Sequence, residues 1–216
     1  MPSLSALALY VPVALVQAFT PGPATLFVLS RASSHGREAG LLSAAGLLTG
    51  TLGLVALAAL GLTGILAEAP FAFDVIKTAG AAYLVYLGLR TIVASRGRAA
   101  AWAAAPGREG VPARSGWQLF RDGVVTELFN PKAALFYASV LPQFVDLRRP
   151  DVPLQMFTLG AVFVVFGALS LGLIAVFAGA LQAKLRQSAA WQAAARWVSG
   201  AVLVALGLRL AVSRVR

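Results

Sequence analysis

The chain has 216 residues, of which 59% are hydrophobic and only 12% charged, about half the charged share of a soluble domain. It has no cysteine and one histidine, His35, which excludes disulfides, thiolate metal sites and His-based metal clusters. Its net charge of +10 lies in short stretches between apolar runs, which the positive-inside rule explains without a nucleic-acid partner.

Met1 to Ser30, Ala39 to Ala67 and Val152 to Ala183 carry no charged side chain, and each exceeds the roughly 20 residues a bilayer crossing needs. The fold class is therefore all-α and integral to the lipid bilayer. The first run has no basic segment before it and is too long for a signal peptide, so it is expected to stay as a span. Six spans are predicted: Leu4–Ser30, Ala39–Leu66, Val75–Val93, Val124–Val145, Val152–Ala183 and Gln187–Ala211. Gly46, Gly50 and Gly53 in the second span mark a face for close helix packing.

A stretch rich in Ala, Gly and Pro, with Arg96, Arg98, Arg108 and Arg114, divides the chain. Residues 1–95 form a first three-helix repeat, 96–116 a cytoplasmic linker and 117–216 a second repeat. The loops after spans one, three and five hold eleven Lys and Arg, against six on the other side. That bias places those loops in the cytoplasm and both termini outside.

"QAFTPG" at Gln17–Gly22 aligns with "ELFNPK" at Glu127–Lys132, matching Phe19 to Phe129, Thr20 to Asn130 and Pro21 to Pro131. "AGAAYLVYLGLR" at Ala79–Arg90 aligns with "SGAVLVALGLR" at Ser199–Arg209, the third span of each half. Halves of three spans have opposite orientations, so the pattern predicts an inverted repeat, the architecture of many secondary transporters.

Thr and Asn are good helix N-caps, and Pro suits the first helical position. Each span is expected to break at its Pro and restart, with Thr20 and Asn130 as caps. By helical rise the breaks fall about 12–17 Å from the cytoplasmic edge, near the midplane. Irregular backbone at that depth must be buried in protein or line a cavity. Restarting half-helices would aim free N–H groups into it, and Lys132 adds a full charge; such a site suits a carboxylate.

The substrate-binding candidates are Thr20, Pro21, Gly22, Pro23, Asn130, Pro131 and Lys132. Gln17 supports the break through hydrogen bonding. Glu127 is the coupling candidate, an intramembrane carboxyl able to exchange a proton; a fixed Glu127–Lys132 ion pair is the structural alternative. His35 reads as a solvated loop residue, Asp122 with Arg121 as an interfacial pair, and Trp117, Trp191 and Trp197 as interface anchors.

The stretches "TPGPATLFVLSRASSHGREAG", "AAYLVYLGLR" and "NPKAALFYASVLPQFV" resemble the LysE/RhtB-type amino-acid exporters, the lysine and homoserine/threonine efflux superfamily. The resemblance covers nearly the whole chain. It implies a bacterial inner-membrane efflux protein, driven by the proton gradient, for amino acids or their small derivatives. Two departures stand out: Ala24 follows Pro-Gly-Pro where the family often has an acid or amide, and "TGTLGLVALAALG" (Thr49 to Gly61) in the second span, where many members carry a polar residue such as His, offers only Thr49 and Thr51. Both point away from cationic substrates toward neutral or apolar ones.

The reading is a secondary exporter, with no enzyme activity, catalytic residue, metal or cofactor expected; a homodimer is compatible with it. The alternatives are a non-transporting scaffold, which gains nothing from paired breaks, and a membrane enzyme, for which neither GxSxG nor HExxH is present.

Overall fold

The structure, a computed structural model, describes residues 1–68, 70–93, 113–187 and 189–212. Most of the expected linker, including Arg96, Arg98 and Arg108, lies outside the described residues. The described residues are mostly helical and contain no strand. Its elements are α1 (Leu4–Phe19), α2 (Pro23–His35), α3 (Arg37–Glu68), α4 (Pro70–Val93), α5 (Gly116–Leu128), α6 (Pro131–Leu135), α7 (Val152–Gln187) and α8 (Ala189–Val212). Between α6 and α7 come a π-helical turn, Phe136–Val140, and a 3-10 turn, Leu141–Phe144.

Both expected breaks are present. α1 and α2 meet at 45°. The restart, however, lies two residues beyond the expected one: Gly22 is the N-cap of α2 and Pro23 its first residue. Thr20 does not cap it. Its hydroxyl instead donates back to the Val16 carbonyl at 2.6 Å, closing the end of α1. Two prolines compete here for the first helical position, and Pro23 takes it while Pro21 stays in the extended link.

The second break follows the expectation. Asn130 caps α6, its Oδ1 accepting from the Lys132 amide at 3.1 Å, with Pro131 at the first position. The restarted helix is short because Pro142 has no N–H to give. The turn ahead of it widens, so that the Leu141 amide donates to Phe136 O, the i→i−5 pattern of a π-bulge. The Gln143 side chain then donates to the Ser139 carbonyl at 2.9 Å.

α3 is the central element, lying against α5, α7 and α2, whereas α4 pairs mainly with α8. Tyr10, Phe136, Tyr137, Met156 and Leu159 fill the core beside the breaks. Among the described residues, Arg37–Gly61 and Val152–Ala180 are long and apolar enough to cross a membrane alone, and α1 with α2 passes as one bent pair. The other predicted spans are helical; α4 and α8 have 24 residues each, about 36 Å of helix.

Glycine sets the two tightest seams. A Cβ on Gly46 of α3 would fall on the Phe120 carbonyl of α5, and one on Gly50 would lie 2.8 Å from Glu127 Cβ. A Cβ on Gly123 of α5 would likewise lie 3.1 Å from Gly46 Cα. On the other side, a Cβ on Gly88 of α4 would come within 2.6 Å of Gly200 O of α8, and one on Gly207 within 2.8 Å of Ala81 O. Small residues let helix backbones touch, which is how helices associate in lipid, where hydrophobic driving force is missing.

Gly46→Val is expected to force α3 from α5, at a cost of about 1–3 kcal/mol or more, and to lower the thermal midpoint in detergent. Gly61→Ala, with nothing within 4 Å of its added Cβ, is the control and is expected to stay near wild type. Equal stability of the two variants would refute the seam.

Candidate functional site: a polar cavity at the two breaks

The breaks meet. Lys132, from the second half, is buried and donates its ammonium to the Thr20 carbonyl at 3.4 Å. That carbonyl belongs to the C-cap of α1, a helix end with partial negative charge. Gly22 makes room for the ammonium: a Cβ there would sit 3.3 Å from Lys132 Nζ and 3.6 Å from its Cδ. Its φ of −165° is extended backbone open to any residue, so the glycine answers to space alone.

Glu127 is buried at the end of α5. Asn130 Nδ2 donates to its Oε2 at 3.1 Å, and Thr51 Oγ1 of α3 donates to its Oε1 at 3.4 Å. Asn130 thus caps α6 with its oxygen and holds Glu127 with its nitrogen. No ion pair within 4.0 Å joins Glu127 to Lys132. The structural alternative of a fixed pair is not what is seen; each charge has its own uncharged partners.

These groups line a cavity of about 50 Å³ together with Gln17, Pro23, Ala24, Thr25, Tyr137 and apolar residues of α3 and α7. Gln17 is 7% exposed, and its Oε1 is buried without a partner. The two restarts differ chemically. α6 uses its own Asn130 to satisfy an amide, whereas no side chain caps α2, which leaves first-turn amides beside Ala24 and Thr25 for a ligand.

Of the sequence-predicted residues, Gln17, Thr20, Gly22, Pro23, Glu127, Asn130 and Lys132 line the cavity. Pro21 and Pro131 shape the breaks without lining it. Thr51, Tyr137, Phe163 and Gly167 were not foreseen as lining residues. For Thr51 the signal was present: it follows Gly50 in the packing face, so close approach there brings its hydroxyl to the carboxylate.

At one end of the molecule Asp122 is a hub, not a simple pair. It takes Arg31 of α2 at 3.2 Å, Arg114 at 2.5 Å and Arg121 at 3.4 Å, and Arg31 also lies 5.0 Å over the Phe27 ring. His35 is half-buried at the end of α2, not solvated as expected. Trp117 and Trp197 are exposed, as interface anchors would be; the side chain of Trp191 lies outside the described residues. At the start of α7, a hydrogen bond from the N-terminal ammonium, aided by Gln155 and Arg149, holds the Asp151 carboxyl down to about 2.

Apolar helices, two broken at a shared polar cavity with buried charges, define a membrane protein organised around an internal site. The chain belongs to the LysE type translocator family, whose model matches residues 15–214. A leucine efflux protein of Salmonella typhimurium is 35% identical over 142 residues, 64% of this chain and 63% of that protein; the match spans less than two thirds of the relative's length. Uncharacterized membrane proteins match more fully. One from Pseudomonas aeruginosa is 34% identical over 89% of this chain and 88% of its own, and YrhP of Bacillus subtilis is 27% identical over 94% and 97%. No solved structure matches the chain.

Asn130→Ala is expected to lose a helix cap, worth about 1 kcal/mol, and a donor to a buried carboxylate, worth about 1–3 kcal/mol. Asn130→Asp keeps the cap, loses the donor and sets a second carboxyl against Glu127. Thermal midpoints in detergent at neutral pH should fall for both. A wild-type midpoint for Asn130→Asp would show that the amide is not what holds Glu127.

Proposed function

We propose that the protein is a proton-coupled secondary exporter of neutral amino acids, with its substrate site in the cavity between the two breaks. The observation that carries this reading is the cluster of Lys132, the uncapped first turn of α2, and the unpartnered Gln17 oxygen in one cavity. A zwitterion supplies what that cluster lacks. Its carboxylate would take Lys132 and the α2 amides, and its ammonium would donate to Gln17 Oε1. The leucine named in the Salmonella relative and the departures at Ala24 and α3 both favour an uncharged side chain.

About 50 Å³ has room for a few waters, well below the roughly 300 Å³ at which ligand pockets begin. Transport therefore requires α1–α2 and α5–α6 to separate. A substrate carboxylate that draws Lys132 away from Thr20 O would loosen the contact between them.

In this reading the six helical passes form two inverted repeats in a bacterial inner membrane, with both termini outside and the breaks near the midplane. The paired breaks and the reciprocal α4–α8 glycine contacts support it. Because cysteine is absent, Gly107→Cys and Pro150→Cys can be labelled singly. Impermeant thiol reagent on intact spheroplasts should mark the second and spare the first; the opposite pattern would invert the orientation.

Glu127 is the proposed proton carrier. Purified Glu127→Gln in proteoliposomes is expected to keep leucine counterflow but lose acceleration by an imposed pH gradient. Gradient-driven transport equal to wild type would remove Glu127 from coupling. Absence of counterflow for all twenty amino acids and homoserine in the wild-type protein would overturn the export reading itself.

A further inference from the structure

The cavity's lining residues fall into two chemical sets. Gln17, Thr20, Thr25, Glu127, Asn130 and Lys132, with Thr51 and Tyr137, carry polar groups; Leu47 and Leu48 of α3 and Phe163, Gly167 and Leu171 of α7 are apolar. Phe163, Gly167 and Leu171 recur every four residues, so they share one face of α7. Leu47 and Leu171 also belong to one buried cluster, with Leu48 packed against it. Gly167 is the small member of this wall. A Cβ there would lie 2.9 Å from Leu48 Cδ2 and 3.7 Å from Phe163 Cε1. Leu48 Cδ2 already fills the space over Gly167, so a ligand group enters there only where the Leu48 side chain turns aside.

We propose that Leu47, Leu48, Phe163, Gly167 and Leu171 form the subsite for the substrate's side chain, and that Gly167 sets the size it accepts. The proposal rests on the cavity being the export site. Of the polar set, Lys132 is taken by the carboxylate and Gln17 by the ammonium, while Asn130 and Thr51 are already bound to Glu127. The apolar wall itself offers no group to receive a hydroxyl, amide or charge, so a polar side chain laid against it would lose water without replacement. An aliphatic side chain gains about fourfold in affinity per buried methylene. The substrate class is therefore a zwitterion with an uncharged aliphatic side chain, and its upper size is a property of one α7 residue.

The experiment is counterflow in proteoliposomes with alanine, valine, leucine and lysine as probes, for wild type, Gly167→Ala, Gly167→Val and Leu48→Ala. Wild type is expected to exchange leucine much faster than lysine. Gly167→Val should lower the leucine-to-alanine rate ratio at least about tenfold, the discrimination that one or two methylenes give in an apolar pocket, with Gly167→Ala between. Leu48→Ala, which removes the neighbour of the added Cβ, should raise the ratio and should restore it when combined with Gly167→Ala. A ratio that stays constant across the Gly167 variants and Leu48→Ala overturns the side-chain subsite while leaving the export reading intact. Should the Gly167 variants not fold, Leu48→Ala alone decides: an unchanged ratio overturns the proposal. A wild-type protein that exchanges none of the probes overturns the export reading and this proposal together.

Discussion

The Lys132 ammonium, 3.4 Å from the Thr20 carbonyl oxygen, joins the two halves of the molecule at their weakest points. Each break frees backbone groups that a continuous helix would satisfy. The second half supplies a cation to the end of α1, where carbonyls carry partial negative charge. The first half supplies space, through Gly22. The Thr20 hydroxyl is turned back to Val16, so only its carbonyl faces the lysine. This arrangement holds a buried charge without a counter-ion in contact, and it leaves Glu127 to be held by Asn130 and Thr51. Two opposite charges kept apart can each change partner, which a closed ion pair cannot do without leaving an uncompensated charge.

The position of Glu127 depends in turn on α3. Gly46 and Gly50 let α5 lie backbone to backbone on α3, and the same approach sets Thr51 against the carboxylate. The polar site thus depends on an apolar packing device one turn away. The corresponding place in the first half holds Gln17, a neutral amide with a free oxygen. The two breaks both restart at a proline and differ in chemistry: one carries the titratable group and a capped restart, the other a neutral acceptor and an uncapped one.

Much of this was legible in the sequence. Uncharged runs revealed the helices, and Thr-Pro and Asn-Pro located both breaks, because proline's missing N–H acts locally and does not depend on tertiary context. The restart at Pro23 was misplaced, because Pro21 and Pro23 are both competent and the choice between them depends on where Lys132 needs room. The shortness of α6 follows from Pro142, which reads as an ordinary turn proline until the i→i−5 bond before it is seen. Glycine spacing announced a seam on α3 but not its partner, since spacing says which face is small and nothing of what will meet it. The hub at Asp122 also escaped, as Arg31 and Arg114 come from distant parts of the chain. The α7 wall was hidden because Phe, Gly and Leu at intervals of four look like any lipid-facing or core surface.

The seam between α4 and α8 bears on how the protein is made. Among the described residues α8 touches little besides α4, and the contact is glycine against backbone at Gly88–Gly200 and Gly207–Ala81. α4 is synthesised before α8, and until α8 exists its seam has no helix to meet. The close contacts of the seam are glycine, alanine and aliphatic side chains, with Thr78 and Tyr86 beside them, so the fit is set by shape more than by polar pairing. The last helix then docks chiefly on shape.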